Sequence, residues 1–250
     1  MMGSGTWLRQ FHPPARADAP PLIVCPHAGT GAAAFRALSE NFSAHYSVLL
    51  LQYPARQDRL GDPAATSIHE LAAGALGEFL TSAHHTGAPL TAFGHSMGAI
   101  VAFEFVRAAE AAGVPVETLA ISASVPPSGI GDLAFPRTDE EIMTRIVELE
   151  GTSADILANP ALMKLAMPAL RADYAAIDGY RCEPDVTVSA RIAAFGADDD
   201  PLVDPADLEA WRSHTTGPLS VDLFDGGHFY LHEHVAALAD VLTTTGSEQN

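Results

Sequence analysis

Short apolar runs alternate with amphipathic stretches along most of this chain, and that rhythm limits the folds open to it. The runs fall at residues 22–25, 47–51, 90–93, 118–122, 190–195 and 219–224. Each is strand-sized and reads as a buried strand. Between them, 32–42, 68–84, 97–112, 205–214 and 231–244 carry apolar residues at helical spacing. Strands interleaved with helices predict an α/β fold with a doubly wound, mostly parallel sheet. With 250 residues, 48% of them hydrophobic and 18% charged, the chain can fill one such core, so 1–250 is expected to be a single domain.

The rhythm breaks once, because after the run at 118–122 the next does not begin until Ala190. Within that gap 139–150 and 160–180 are patterned as helices, and 125–135 is rich in Pro and Gly. Residues 126–185 are therefore expected to be a helical insertion over one end of the sheet, either a lid over a site or an addition packed for stability. No run approaches the ~20 apolar residues of a membrane helix. Residues 1–18 lack the charged start and apolar stretch of a signal peptide, so a cytoplasmic location is expected. The formal charge of −18 repels phosphate backbones and anionic lipid, which argues against nucleic acid or a membrane as partner. Cys25 and Cys182, without a CxxC pair, indicate free thiols rather than a disulfide framework or a thiolate metal site.

Gly94-His95-Ser96-Met97-Gly98 fits G-x-S-x-G. The motif alone is common by chance; here it lies between a strand and a helix, where a sharp turn lifts the serine hydroxyl above the sheet edge. Gly94 and Gly98 suit that turn because side chains there would clash with the neighbouring strand and helix. A serine hydroxyl is a weak nucleophile until an imidazole takes its proton. Gly226-Gly227-His228 follows the last apolar run and places His228 to do so. His232 stands four residues on, a spacing also found in helical metal ligands, but no carboxylate in an HExxH pattern accompanies it, and neither metal nor cofactor is expected. The acid that orients the imidazole should follow the preceding strand, where Asp198, Asp199 and Asp200 stand together. Asp200, just before Pro201, is the first choice and Asp199 the second. The order Ser, Asp, His is that of α/β-hydrolases. Two backbone N–H groups must face the developing oxyanion. Met97, after the nucleophile, and Ala28, in the glycine-bearing loop that follows the first run, are the candidates, with His27 read as support for that loop.

Taken together, Pro26-His27-Ala28-Gly29, Gln52-Tyr53-Pro54-Ala55-Arg56 with Arg59 after it, Gly94-His95-Ser96-Met97-Gly98-Ala99, Asp199-Asp200-Pro201 and Gly226-Gly227-His228-Phe229-Tyr230-Leu231 resemble the type II thioesterases of polyketide and nonribosomal peptide synthases. The resemblance covers nearly the whole chain. It implies an α/β-hydrolase whose 126–185 insertion is a mobile lid bordering an acyl pocket. It further implies a discrete editing enzyme that hydrolyses acyl thioesters from the phosphopantetheine arm of acyl or peptidyl carrier proteins, and small acyl thioesters as well. The family commonly has Gly where Ala55 stands and Gly-Gly where Gly29-Thr30 stands, departures that look small and conservative. Arg56 and Arg59 lie at the carboxyl end of the 47–51 run, placed either to reach the carrier or the arm's phosphate, or to hold their loop as ion pairs. A general carboxylester or acyl-CoA hydrolase would share the same triad, and a non-catalytic binding protein could keep the same fold; thioester against oxygen ester, and labelling with a fluorophosphonate, separate these.

Overall fold

The structure, a computed structural model, describes residues 6–149 and 159–244. Its centre is a seven-stranded sheet of β1 (Leu8–Arg9), β2 (Pro21–Cys25), β3 (Ser47–Leu51), β4 (Leu90–His95), β5 (Val116–Ser122), β6 (Arg191–Ala197) and β7 (Leu219–Phe224) in the order β1-β3-β2-β4-β5-β6-β7. Every pairing is parallel except that of β1 with β3. Successive residues of a strand face opposite sides, so Ile23, Cys25, Leu49 and Leu51 join one core while Leu22, Val24, Val48 and Leu50 join the other. Helices α2 (Ile68–Thr81) and α3 (Met97–Ala111) cover the first face, with Leu71, Phe79, Ile100 and Phe103 against the sheet; α1 (Arg36–Phe42) and α7 (Val235–Thr244) cover the second with Leu38, Phe42, Leu238 and Leu242. This two-sided burial is why β2 to β6 read as apolar runs; β7, expected to be buried as well, is the edge strand and only partly covered, with Leu223 48% exposed.

The expected elements are present, β3 and β7 with the ends expected and most others with shifted ends. The 90–93 run extends through Gly94 and His95, so Ser96 alone separates β4 from α3. The stretch 32–42 opens as a 3-10 turn, Ala32–Phe35, before α1. The 205–214 helix is α6 (Pro205–Ala210) followed by a tighter turn, Trp211–His214, and the 231–244 helix begins only at Val235, after a 3-10 turn at Tyr230–His232. Apolar spacing does not separate i+3 from i+4 hydrogen bonding, so each pair of turns reads as one helix. β1 was not expected. Two residues carry no periodicity, and the strand is held by pairing of Leu8 with Leu51 and by the Glu78 carboxylate, which accepts from the backbone N–H groups of Trp7 and Leu8.

Between β5 and β6 lie a 3-10 turn at Pro127–Asp132, α4 (Asp139–Glu148) and α5 (Pro160–Asp178). A capping box starts α4: Thr138 accepts from Glu141 N–H, and the Glu141 side chain accepts from Thr138 N–H. Asn159 caps α5, with Pro160 at its first position. The two helices bury Ile142, Met167 and Leu170 in a small core of their own. Residues 150–158 of the expected insertion, and Glu150 of its first helix, lie outside the described residues.

Candidate active site

Sheet topology gathers the chemistry at one edge, where the carboxyl ends of β4, β6 and β7 bring Ser96, Asp200 and His228 together. Ser96 occupies the turn between β4 and α3 with φ 55 and ψ −124, a left-handed conformation that costs a non-glycine residue about 1–3 kcal/mol. Space dictates the flanking glycines: a Cβ on Gly94 would stand 2.1 Å from the Gly98 carbonyl oxygen, and one on Gly98 would stand 2.0 Å from that of Cys25.

Ser96 Oγ lies 3.0 Å from His228 Nε2, and His228 Nδ1 lies 2.9 Å from Asp200 Oδ2. A carboxylate only accepts, so Nδ1 carries the ring proton and Nε2 is left to accept from the serine hydroxyl. Asp200 is held in turn, its Oδ1 accepting from Leu202 N–H at 2.9 Å, and its side chain and that of His228 are almost wholly buried. Of the other two acids, Asp198 Oδ1 accepts from Gly226 N–H at 3.0 Å and so braces the loop that carries His228, while Asp199 is solvent-exposed. Behind His228, buried His95 pairs through Nδ1 with Ser122 Oγ at 2.9 Å, and Ser122 with Tyr230 OH at 2.7 Å. His95 and Tyr230 stand within the stretches that carry the family resemblance and Ser122 outside them; none of the three is singled out by the sequence, and only the sheet juxtaposes them.

Met97 begins α3, so its N–H has no partner within the helix and stands at the positive end of the helix dipole. Ala28 lies across from it, and both line the space around Ser96. His27 Nδ1–H donates to Ala28 O at 3.1 Å and its ring packs edge-on against Phe229, 4.8 Å between centroids. Burial pushes the His27 pKa down to about 3 and that of His95 well below its ordinary value, so both rings are neutral near pH 7.

Ser96 sits where two cavities meet. One, about 410 Å³, is lined by the 28–30 loop, Phe229 and, from α5, Met163, Ala166 and Leu170. The other, about 80 Å³, is lined by Met97, Val125, Ile130, Phe135 and Ile177. Tyr174 and Leu149, from the insertion, border both. The insertion therefore forms much of the cavity wall.

Arg56 and Arg59 do not face outward. Arg56 is 6% exposed and makes a two-pronged ion pair with Asp173 of α5, at 2.6 and 2.7 Å. Arg59 is 5% exposed, donates to Asp62 at 2.7 Å and to Gln52 O at 2.9 Å, and lies over the Trp7 ring. Of the two expectations for these arginines, the one that had them reaching a carrier or its phosphate is withdrawn, because neither guanidinium is accessible; they hold their loop. Nor is Ala55 a conservative change: its φ is 63, the region glycine enters freely. Among the described residues no cluster of three or more His, Cys, Asp or Glu could hold a metal ion, and no helix is long and apolar enough to cross a membrane.

A mostly parallel, doubly wound sheet with serine, histidine and aspartate hydrogen-bonded in series at its carboxyl edge defines the α/β-hydrolase class. The particular family follows from comparison with known proteins. The sequence profile described as "Thioesterase domain" matches residues 20–245, and the chain belongs to that family. It is 41% identical over 239 residues to phenyloxazoline synthase MbtB of Mycobacterium tuberculosis, aligning 95% of this chain but spanning only 16% of that synthase. It is 37% identical over 248 residues to thioesterase PikA5 of Streptomyces venezuelae, covering 97% of this chain and 87% of the relative. Among solved structures it is similar to the type II thioesterase BorB from the borrelidin biosynthetic cluster, with a TM-score of 0.84 and 36% identity, covering 98% of this chain and 100% of the other.

Proposed function

We propose that this chain is a discrete, editing type II thioesterase, hydrolysing acyl groups from the phosphopantetheine arm of acyl or peptidyl carrier proteins through an acyl-enzyme on Ser96. The observation that carries the chemistry is the hydrogen-bond series from Ser96 through His228 to Asp200, at 3.0 and 2.9 Å. Similarity to BorB and PikA5 supports the thioester class and the synthase setting. A cytoplasmic location belongs to the same reading.

In the forward step Ser96 Oγ attacks the thioester carbonyl while its proton passes to His228 Nε2. Asp200 fixes the tautomer and stabilises the imidazolium. The carbonyl oxygen becomes an oxyanion facing the N–H groups of Ala28 and Met97. Collapse breaks the C–S bond; the sulfur leaves with the proton from Nε2 as the free thiol. Water then repeats the sequence on the acyl-serine, with Nε2 taking its proton and returning it to Ser96, releasing the carboxylic acid. In this reading α4 and α5 are the lid, and the cavities beside Ser96 take the acyl chain and the end of the arm.

The test pairs an acyl thioester with its oxygen ester in wild type and Ser96→Ala, with fluorophosphonate labelling alongside. Loss of more than about a thousandfold in Ser96→Ala is expected; a variant keeping a tenth of wild-type turnover excludes the acyl-enzyme. Preference for the oxygen ester would leave a general esterase. Carrier recognition is tested separately by kcat/KM for one acyl group on a carrier protein and on N-acetylcysteamine. A higher value for the carrier is expected, since remote binding energy assists only when the remote part is present; equal values remove the carrier from the reading.

A further inference from the structure

One carboxylate joins the helix over the site to the loop beneath it. Asp173 on α5 is 3% exposed; its Oδ2 accepts from Gly29 N–H at 2.7 Å and from Arg56 Nη1 at 2.6 Å, and its Oδ1 accepts from Arg56 Nη2 at 2.7 Å. Arg56 reaches the same loop independently, donating to Thr30 O at 3.0 Å. A buried carboxylate needs an opposite charge and satisfied lone pairs, and this pair supplies both. Leu170, one turn earlier on α5, fills the space a Gly29 side chain would take, with a Cβ there only 2.1 Å from Leu170 Cδ2.

The loop so gripped is a tight turn. Thr30 N–H closes on His27 O at 3.4 Å, and Gly29, at the third position, has φ +77, which is the geometry of a type II turn. Type I and type II turns differ by rotation of the peptide joining their second and third residues, here Ala28–Gly29. That peptide is held from both sides: its N–H by Asp173 and its C=O by His27 Nδ1–H at 3.1 Å. One residue back stands the Ala28 N–H. Rotating that peptide changes Ala28 ψ and Gly29 φ and leaves Ala28 φ much the same in both turn types, so what these bonds fix is the seat of the whole turn, and with it the place of the Ala28 N–H beside Ser96.

We infer that Asp173 is a positioning residue for the oxyanion hole, so that α5 seated on the turn is what aims the Ala28 N–H at the reacting carbonyl. The inference rests on the thioesterase reading and on Ala28 as a donor within it. It couples lid to catalysis: when α5 leaves the loop, Gly29 loses its acceptor and the turn that carries Ala28 is no longer held in place.

The experiment uses the full chain with an acyl-N-acetylcysteamine thioester, measuring kcat, KM, the inhibition constant of the matching acyl trifluoromethyl ketone, and Tm. Asp173→Leu keeps a side chain of similar size but offers no acceptor, so Gly29 N–H is left without one and Arg56 without its partner, and Tm should fall. A fall in kcat of about 10- to 100-fold is expected, below the loss of a whole oxyanion donor, with KM within about twofold. The ketone, whose adduct needs the same donors, should weaken by the factor lost in kcat/KM. In Arg56→Met/Asp173→Leu, replacing the ion pair with apolar side chains restores Tm but not kcat, because Gly29 N–H still lacks its acceptor. Wild-type kcat in Asp173→Leu overturns the inference, as does a double variant whose kcat recovers with its Tm, or a loss confined to KM. Should wild type fail to hydrolyse the thioester, or Ser96→Ala retain activity, the thioesterase reading fails instead.

Discussion

Single positions make up the candidate site, and the more local the pattern around them, the more readily the sequence singles them out. Ser96 announced itself because its glycines stand two residues either side; His228 did so because Gly226 and Gly227 precede it. Asp200 was one of three adjacent acids, and what separates it is the geometry that puts it 2.9 Å from His228 while Asp199 faces solvent. Asp200→Asn is expected to lower kcat on the order of 10³- to 10⁴-fold, since an amide can no longer hold the imidazole in the reactive tautomer, and Asp199→Asn to stay close to wild type. Steady-state rates of the two variants check this, and the reverse order moves the role to Asp199. Asp173 had no such signature: an aspartate inside a helix pairs here with an arginine 117 residues away, a relation only the fold creates. Ala55 shows the opposite failure, a departure that looked harmless and holds φ at 63. A left-handed alanine costs about 1 kcal/mol or more, only partly offset by the freedom glycine regains on unfolding. Ala55→Gly should therefore raise Tm by about 1–3 °C, and a lower Tm in a thermal melt contradicts the strain.

At the level of elements, β2 to β6 were legible because burial on both faces leaves continuous apolar runs, and the edge strand β7 because its apolar residues alternate with Ser220 and Asp222. β1 and the 3-10 turns were not, since two residues or a single tight turn leave no period to count. The β5–β6 insertion was legible as helices, and the family resemblance placed it beside a pocket, but which faces of α4 and α5 meet Ser96 depends on where the sheet holds them. Its far end is anchored by Tyr180, just past α5, whose hydroxyl donates to Glu104 of α3 at 2.6 Å; Glu104 also accepts two bonds of 2.8 Å from Arg107. Tyr180→Phe leaves the buried carboxylate short of a donor and should cost about 1–3 kcal/mol in chemical denaturation. The Arg56–Asp173 pair remains in place, so kcat should be little changed. A large loss of kcat with unaltered stability would mean that the Tyr180 end, and not Asp173, governs the helix.

The molecule as a whole carries a formal charge of −18, and its response to acid sets two effects against each other. Protonation relieves self-repulsion, which favours the folded state. It also penalises histidines that the fold buries uncharged. His27 is pushed down to about 3, first by desolvation and then by nearby His228, His232 and Arg56, against the hydrogen bond to Ala28 O that raises it; His95 is lowered by desolvation and by His228, His27 and His232. His214 and His232 shift the same way. An unfolded histidine titrates near 6.5, so between there and about 3 the unfolded chain binds protons that the folded one refuses, and stability falls as pH drops. His27 and His95 each contribute up to about 1.4 kcal/mol per pH unit in that window. Carboxylates titrate near 4, so relief of repulsion comes mostly below pH 5 and does not cancel the loss above it. Unfolding free energies should be flat from pH 8 to 7 and decline from about 6.5 to 5, more steeply than one histidine allows. His95→Asn and His27→Asn should each flatten that slope by up to one proton. A wild-type curve level between pH 7 and 5 would show that the two rings take up protons without unfolding, and that the floor of the site is wetter than its packing implies.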